Sequence, residues 1–154
     1  MKSRQSPSYS PNDDYYTPPT IFEALGLTFD VDVCAPTGGV PWVPARMHYD
    51  MALDGLSQPW EGLVWCNPPY SGPAPWIERF IEHGNGIMLV QVARSKGFRR
   101  LWDLADGIMI PDHNMMRFIN TQGETKTIFM PVGLFAIGEV SYQALLRSNL
   151  GRVR

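Results

Sequence analysis

Leu63-Val64-Trp65-Cys66-Asn67-Pro68-Pro69-Tyr70 is the stretch whose reading decides the fold. Its first four residues are apolar and strand-like, and the strand must stop at Asn67, because two successive prolines cannot donate to a sheet ladder. A helix is expected from about Pro73 to His83, with Trp76, Ile77, Phe80 and Ile81 on one face and Gly84 at its end. Ile87 to Ala93 is then a nearly continuous apolar run, the pattern of a central parallel strand covered on both faces. Strand, crossover helix and strand in direct succession imply an α/β architecture.

The flanks continue that alternation. On the N-terminal side, Thr17 suits a helix N-cap and Pro18 the first helical position, ahead of Ile21, Phe22 and Leu25, with Gly26 as the stop. Leu27, Phe29, Val31 and Val33 alternate with polar residues as a strand and run into the loop Ala35-Pro36-Thr37-Gly38-Gly39. Residues 40–59 carry no clear period. On the C-terminal side, Ser95 is placed to cap a helix carrying Phe98, Leu101, Trp102 and Ala105, followed by short strands at Ile108 to Ile110 and Met116 to Ile119. Thr127 to Ile137 reads as a turn plus a strand, and Ser141 to Leu150 as a closing helix with Gly151 as its C-cap. The expectation is a single Rossmann-like domain over 13–154, with a mostly parallel sheet and helices on both faces, preceded by a disordered Ser/Pro-rich tail at 1–12.

Composition narrows the function classes. A chain of 154 residues suffices for one core, burying roughly two thirds of the surface its unfolded form exposes. No apolar run reaches the length of a membrane span, and the tail lacks the apolar centre of a signal peptide, so a cytoplasmic setting is expected. Cys34 and Cys66 each sit in an apolar stretch, as reduced buried thiols do. His48, His83 and His113 have no metal-ligand spacing, and no metal is expected. Neither a dinucleotide fingerprint nor a phosphate loop occurs, which disfavours nicotinamide and nucleoside-triphosphate chemistry. A net charge of −2 means that any nucleic-acid face must be local. Arg94, Lys96, Arg99 and Arg100 offer such a face, since the strand before them would end on the same edge as the one before Asn67. A solvated helix face is the alternative for those four cations.

Asn67-Pro68-Pro69-Tyr70 resembles the N-P-P-Y motif of amino-methyltransferases. Taken with Tyr16-Thr17-Pro18-Pro19, Asp32-Val33-Cys34-Ala35, Trp60, Ser71, Arg94 and Arg117-Phe118, it is similar to the phage-type DNA N6-adenine methyltransferase (Dam-like) family over about Asp13 to Ile137. The resemblance implies a phage or prophage origin, double-stranded DNA as partner and S-adenosylmethionine as cofactor. It also implies that the Asn67 side-chain carbonyl and the Pro68 backbone carbonyl accept hydrogen bonds from the target amine, with Pro69 completing the turn and Tyr70 stacking on a base flipped from the duplex. Asp32, with Tyr16, Thr17 and Pro18 at the aminoacid end and Asp54 at the adenosine, is implied for the cofactor. The compact Gly-x-Gly loop of many methyltransferases is missing, with Gly38-Gly39 somewhat later in the chain. The same motif serves cytosine N4 and protein-glutamine methylation, and a catalytically inactive DNA- or cofactor-binding remnant is a further alternative. No segment is long enough for a separate target-recognition domain, and none assigns an oligomeric state; DNA contacts are expected from loops within 38–60 and 94–100.

Overall fold

A computed structural model describes residues 16–112, 116–120, 122–126 and 131–154. The tail expected at 1–12, His113 and the first residues (127–130) of the stretch expected at 127–137 lie outside the described residues. In chain order the elements are α1 (Pro19–Leu25), β1 (Phe29–Asp32), β2 (Ala45–His48), β3 (Val64–Cys66), α2 (Ala74–His83), β4 (Gly86–Gln91), α3 (Lys96–Leu104) and β5 (Gly107–Pro111). They continue with β6 (Phe118–Ile119), β7 (Thr125–Lys126), β8 (Val132–Ile137), α4 (Glu139–Ser148) and β9 (Gly151–Val153). A 3-10 turn lies at Gly55–Ser57.

Seven strands form one sheet in the order β2-β1-β3-β4-β8-β5-β9, and β6 pairs with β7 in a separate ribbon. Alternate residues of the strands point to opposite faces, as the pleat requires. Val64, Cys66, Met88 and Val90 pack with Trp76, Ile77 and Phe80 of α2 and with Phe98 and Leu101 of α3. Trp65, Ile87 and Leu89 face the other way, against Ile21, Phe22 and Leu25 of α1 and Ala144 and Leu145 of α4. Trp65 is the hub of that second layer, with its ring 4.7 Å from Phe22 and 5.7 Å from Phe29. The expected cover of helices on both faces is therefore present.

The expected mostly parallel sheet is not. β2, β1, β3 and β4 are mutually parallel, but β8 runs antiparallel to both β4 and β5, and β9 runs antiparallel to β5. The reason the sequence misleads is physical. A strand buried on both faces is a continuous apolar run whichever way it points, so Val132–Ile137 carries no directional signal. Direction is set by the connection, and among the described residues no helix separates β5 from β8, so β8 has no crossover by which to return parallel.

Local signals also shift in places. Thr17 is not the cap of α1: Pro18 takes the N-cap with φ −67° and ψ 150°, and Pro19 is the first helical residue. A residue that precedes a proline is pushed out of the helical region, so with Pro18 followed by Pro19 the helix cannot begin earlier. At the other end Asn149, at φ 59°, caps α4, and Gly151 opens the edge strand β9 instead of closing the helix. Ser95 behaves as expected, its Oγ accepting from the Phe98 N–H at 3.2 Å.

Candidate active site

Because β1 to β4 are parallel, their carboxyl ends share one edge of the sheet. Asp32 ends β1 and pairs in register with Trp65, two residues before Asn67 at the end of β3. The same register places His48, the last residue of β2, on the other flank of Asp32. Asp32 is only 4% exposed, and its Oδ1 accepts from the Cys34 N–H at 3.3 Å. A cavity of about 190 Å³ opens beside it, lined by Asp32, Gly38, Gly39, Pro41, Val43 and His48 among others. Glycine is favoured at position 39 by its backbone, and a side chain there would also press on the His48 ring. The Gly39 φ is +76°, and a Cβ would stand 2.9 Å from that ring.

Tyr16 and Thr17 cross the same edge just before α1. Tyr16 exchanges two backbone hydrogen bonds with Ile119 of β6, at 2.7 and 2.9 Å. Thr17 is buried, its carbonyl accepts from Trp42 Nε1 at 2.7 Å, and its Oγ1 lies 3.5 Å from Asn67 Nδ2. The structure thus brings the Tyr16-Thr17-Pro18 segment onto the Asn67 motif across fifty residues of sequence. Pro68 and Pro69 are buried in the turn that follows, and Tyr70 meets Phe118 edge to face, with centroids 6.5 Å apart.

Asp54 stands apart from that cavity, in a narrow cleft with Cys34, Tyr49, Asp50, Gly55 and Trp76. Its backbone is left-handed, at φ 55°, and among the described residues its buried Oδ1 has no hydrogen-bond partner. The adjoining Gly55 passes so close to β1 that a Cβ would lie 1.9 Å from the Val33 carbonyl oxygen. Asp50 organises this region. Its carboxylate accepts from the Ala52 and Leu53 N–H groups at 3.1 and 3.3 Å and, across to the cavity loop, from Gly38 N–H at 3.3 Å. Burial alone would raise its carboxyl, but those three amides and the nearby His48 outweigh it and hold the group below its ordinary 3.8.

The four cations do not behave as one group. Arg94 follows the end of β4, and Lys96 and Arg99 are exposed on the first turn and a half of α3. Arg100 instead ion-pairs with Glu78 of α2. Among the described residues Arg94, Lys96 and Arg99 have no ion pair. No group of three or more His, Cys, Asp or Glu among the described residues could hold a metal ion, and no helix there is long and apolar enough to cross a membrane.

Sequence reasoning assigned no role to Trp42, His48 or Asp50. Asp50 had a signal of its own, an Asp followed by a short turn whose amides it can accept. Trp42 had none, because its partner lies 25 residues upstream.

The model of the family described as DNA N-6-adenine-methyltransferase (Dam) matches residues 5–132. The chain belongs to that Dam family. It is similar to the DNA N-6-adenine-methyltransferase of Haemophilus phage HP1 (strain HP1c1), 24% identical over 138 residues, which cover 82% of this chain and 78% of the phage protein. No solved structure matches the chain. The Dam family match spans α1 to the start of β8, and so contains every candidate residue described above.

Proposed function

We propose that this Dam-family chain transfers the methyl group of S-adenosylmethionine to N6 of an adenine flipped out of double-stranded DNA, as a phage- or prophage-encoded enzyme acting in the cytoplasm of a bacterial host. The observation that carries this reading is the meeting of three separate segments, Thr17, Asp32 and Asn67 to Tyr70, at one sheet edge. Ligands of open α/β sheets bind at such an edge, and β2, β1, β3 and β4 all end on it because they run parallel.

The residues present fit the cofactor on two observations. A cavity adjoins the buried Asp32 carboxylate, and the Asp54 Oδ1 is buried without a partner among the described residues, as a ribose-binding carboxylate without its ligand would be. Asp32, with Tyr16, Thr17 and Pro18, would hold the aminoacid end and Asp54 the adenosine. When bound, S-adenosylmethionine supplies an electrophilic methyl group on a sulfonium. The chain's task is to activate the nucleophile, since the lone pair of adenine N6 is delocalised into the ring. Asn67 Oδ1 and the Pro68 carbonyl would accept its two N–H groups, favour a pyramidal nitrogen and aim the lone pair. Fixed dipoles of this kind are worth factors of roughly 10² to 10³ in rate. The methyl group would pass from sulfur to nitrogen, the donor leaving as its thioether, and the proton shed by the alkylated nitrogen would pass to solvent. Pro69 fixes the turn, and Tyr70, braced by Phe118, would stack on the flipped base. Arg94, Lys96 and Arg99 would contact phosphates beside the pocket, with Arg100 weakened in that role by Glu78.

Nucleoside analysis of DNA incubated with the protein and labelled S-adenosylmethionine tests the reading. N6-methyladenine is expected. N4-methylcytosine, label in protein glutamine, or cofactor binding without turnover would each replace it with a different acceptor or with an inactive remnant.

A further inference from the structure

We propose that Thr17 and Trp42 are positioning residues that hold the Asn67 amide in the orientation methyl transfer needs, so that the loop lining the Asp32 cavity and the catalytic motif are set together. The inference rests on the reading of Asn67 as acceptor for the substrate amine. A side-chain amide has two unlike ends: one oxygen that accepts and one NH2 that only donates. The end that meets an amino group must be Oδ1, so Nδ2 must find an acceptor on its other side. Thr17 Oγ1 stands there at 3.5 Å. Contacts of this kind are often long before substrate arrives and tighten in the loaded complex.

Thr17 suits a fixed post because its backbone is restrained on every side. The residue before it is bridged twice to Ile119, at 2.7 and 2.9 Å. The two residues after it are prolines, with φ locked by their rings. Its own carbonyl is tied to Trp42 Nε1 at 2.7 Å, and the residue is 3% exposed. Trp42 lies between Pro41 and Val43, both of which line the Asp32 cavity, and its ring meets Tyr16 at 6.3 Å. A molecule settling in that cavity therefore bears on the loop that anchors Thr17, and through Thr17 on the Asn67 amide.

The test combines single-turnover transfer from labelled S-adenosylmethionine to unmethylated genomic DNA with calorimetric binding of S-adenosylhomocysteine. At saturating cofactor, Thr17→Val and Trp42→Phe are each expected to slow transfer by about three- to tenfold, the scale of one lost hydrogen bond. Thr17→Ser, which keeps the hydroxyl, should restore the rate, and Trp42→Phe should leave S-adenosylhomocysteine affinity within about twofold. Crossing either variant with Asn67→Ala should add no further loss, because the group being positioned is gone. If Thr17→Val does not fold, Trp42→Phe crossed with Asn67→Ala supplies the same cycle. An unchanged rate in Thr17→Val while Asn67→Ala is impaired overturns the positioning role and leaves the proposed function standing. Equal losses in the presence and absence of Asn67 overturn it as well. An Asn67→Ala protein that transfers at the parent rate instead refutes the catalytic reading beneath it.

Discussion

Strands β2, β1, β3 and β4 run parallel and deliver all their carboxyl ends to one edge, whereas β8, β5 and β9 alternate in direction and deliver ends and beginnings in turn. The inner strands β3, β4 and β8 are buried on both faces, yet the candidate chemistry is concentrated in the parallel half. Asp32 ends a strand of the parallel half, and Asn67 and Arg94 each follow one. The antiparallel half reaches the same edge mainly through the excursion between β5 and β8, which brings Phe118 to Tyr70 and Ile119 to Tyr16. The contrast teaches that parallel order gathers side chains for function, while alternating order closes the core and lends one brace.

The largest expected effect tests the closing role. Leu134 lies in the middle of β8, fully buried, paired to Leu89 on one side and Met109 on the other. Leu134→Ala should cost about 2–5 kcal/mol of stability through the cavity it leaves. Chemical denaturation measures it, and the methyl-transfer rate per folded molecule should hold. A fall in that rate in fully folded protein would mean that the two halves are coupled more tightly than their connections suggest.

Two substitutions at the parallel edge should have the opposite signature. Asn67→Ala is expected to slow single-turnover transfer by at least about 10² while cofactor affinity stays nearly unchanged, as its proposed role as amine-facing acceptor requires. Asp32→Ala should leave the fold intact and weaken S-adenosylmethionine binding by about tenfold or more, the scale of a hydrogen bond to a charged group. Calorimetry separates the pair: an unchanged dissociation constant in Asp32→Ala removes that residue from the cofactor site.

The same division explains what could be read from the residues alone. The β3–α2–β4 unit was legible because Pro68 and Pro69 punctuate it, Gly84 stops the helix, and the apolar period changes where the structure changes. β2 was not, since Ala45–His48 is an exposed edge strand whose pairing comes from β1 and not from its own pattern. β9 escaped because three residues carry too little period to register. Asn67 and Asp32 could be proposed from motif and strand ends, while the ties that Trp42 and Asp50 make across loops exist only in three dimensions.

A smaller effect tests whether the parallel edge meets DNA. Lys96 and Arg99 are exposed at the start of α3, whereas Arg100 is engaged by Glu78. Lys96→Ala with Arg99→Ala should weaken binding to unrelated duplexes alike and reduce the slope of log affinity against log salt by roughly one to two units. The methylated base should not change, because phosphate contacts position a duplex without reading it. An unaltered slope in titrations at several salt concentrations places the DNA face elsewhere on the molecule.

The smallest effect concerns the loops themselves. Asp50 ties Gly38 of the cavity loop to the turn that carries Asp54, and its carboxyl sits below 3.8 in the folded chain. A carboxyl lowered by folding contributes stability that is complete above its unfolded value and is lost only as pH falls through the folded one. From neutrality down to mild acidity the tie should therefore be constant, loosening only below 3.8. Hydrogen exchange at the Gly38, Ala52 and Leu53 amides, corrected for the intrinsic pH dependence of exchange, reads this directly. In Asp50→Asn, which keeps an acceptor oxygen but cannot ionise, protection should be modestly lower and show no acid transition at that site. Protection lost well above 3.8 would instead mean that a group other than the Asp50 carboxyl governs the loop.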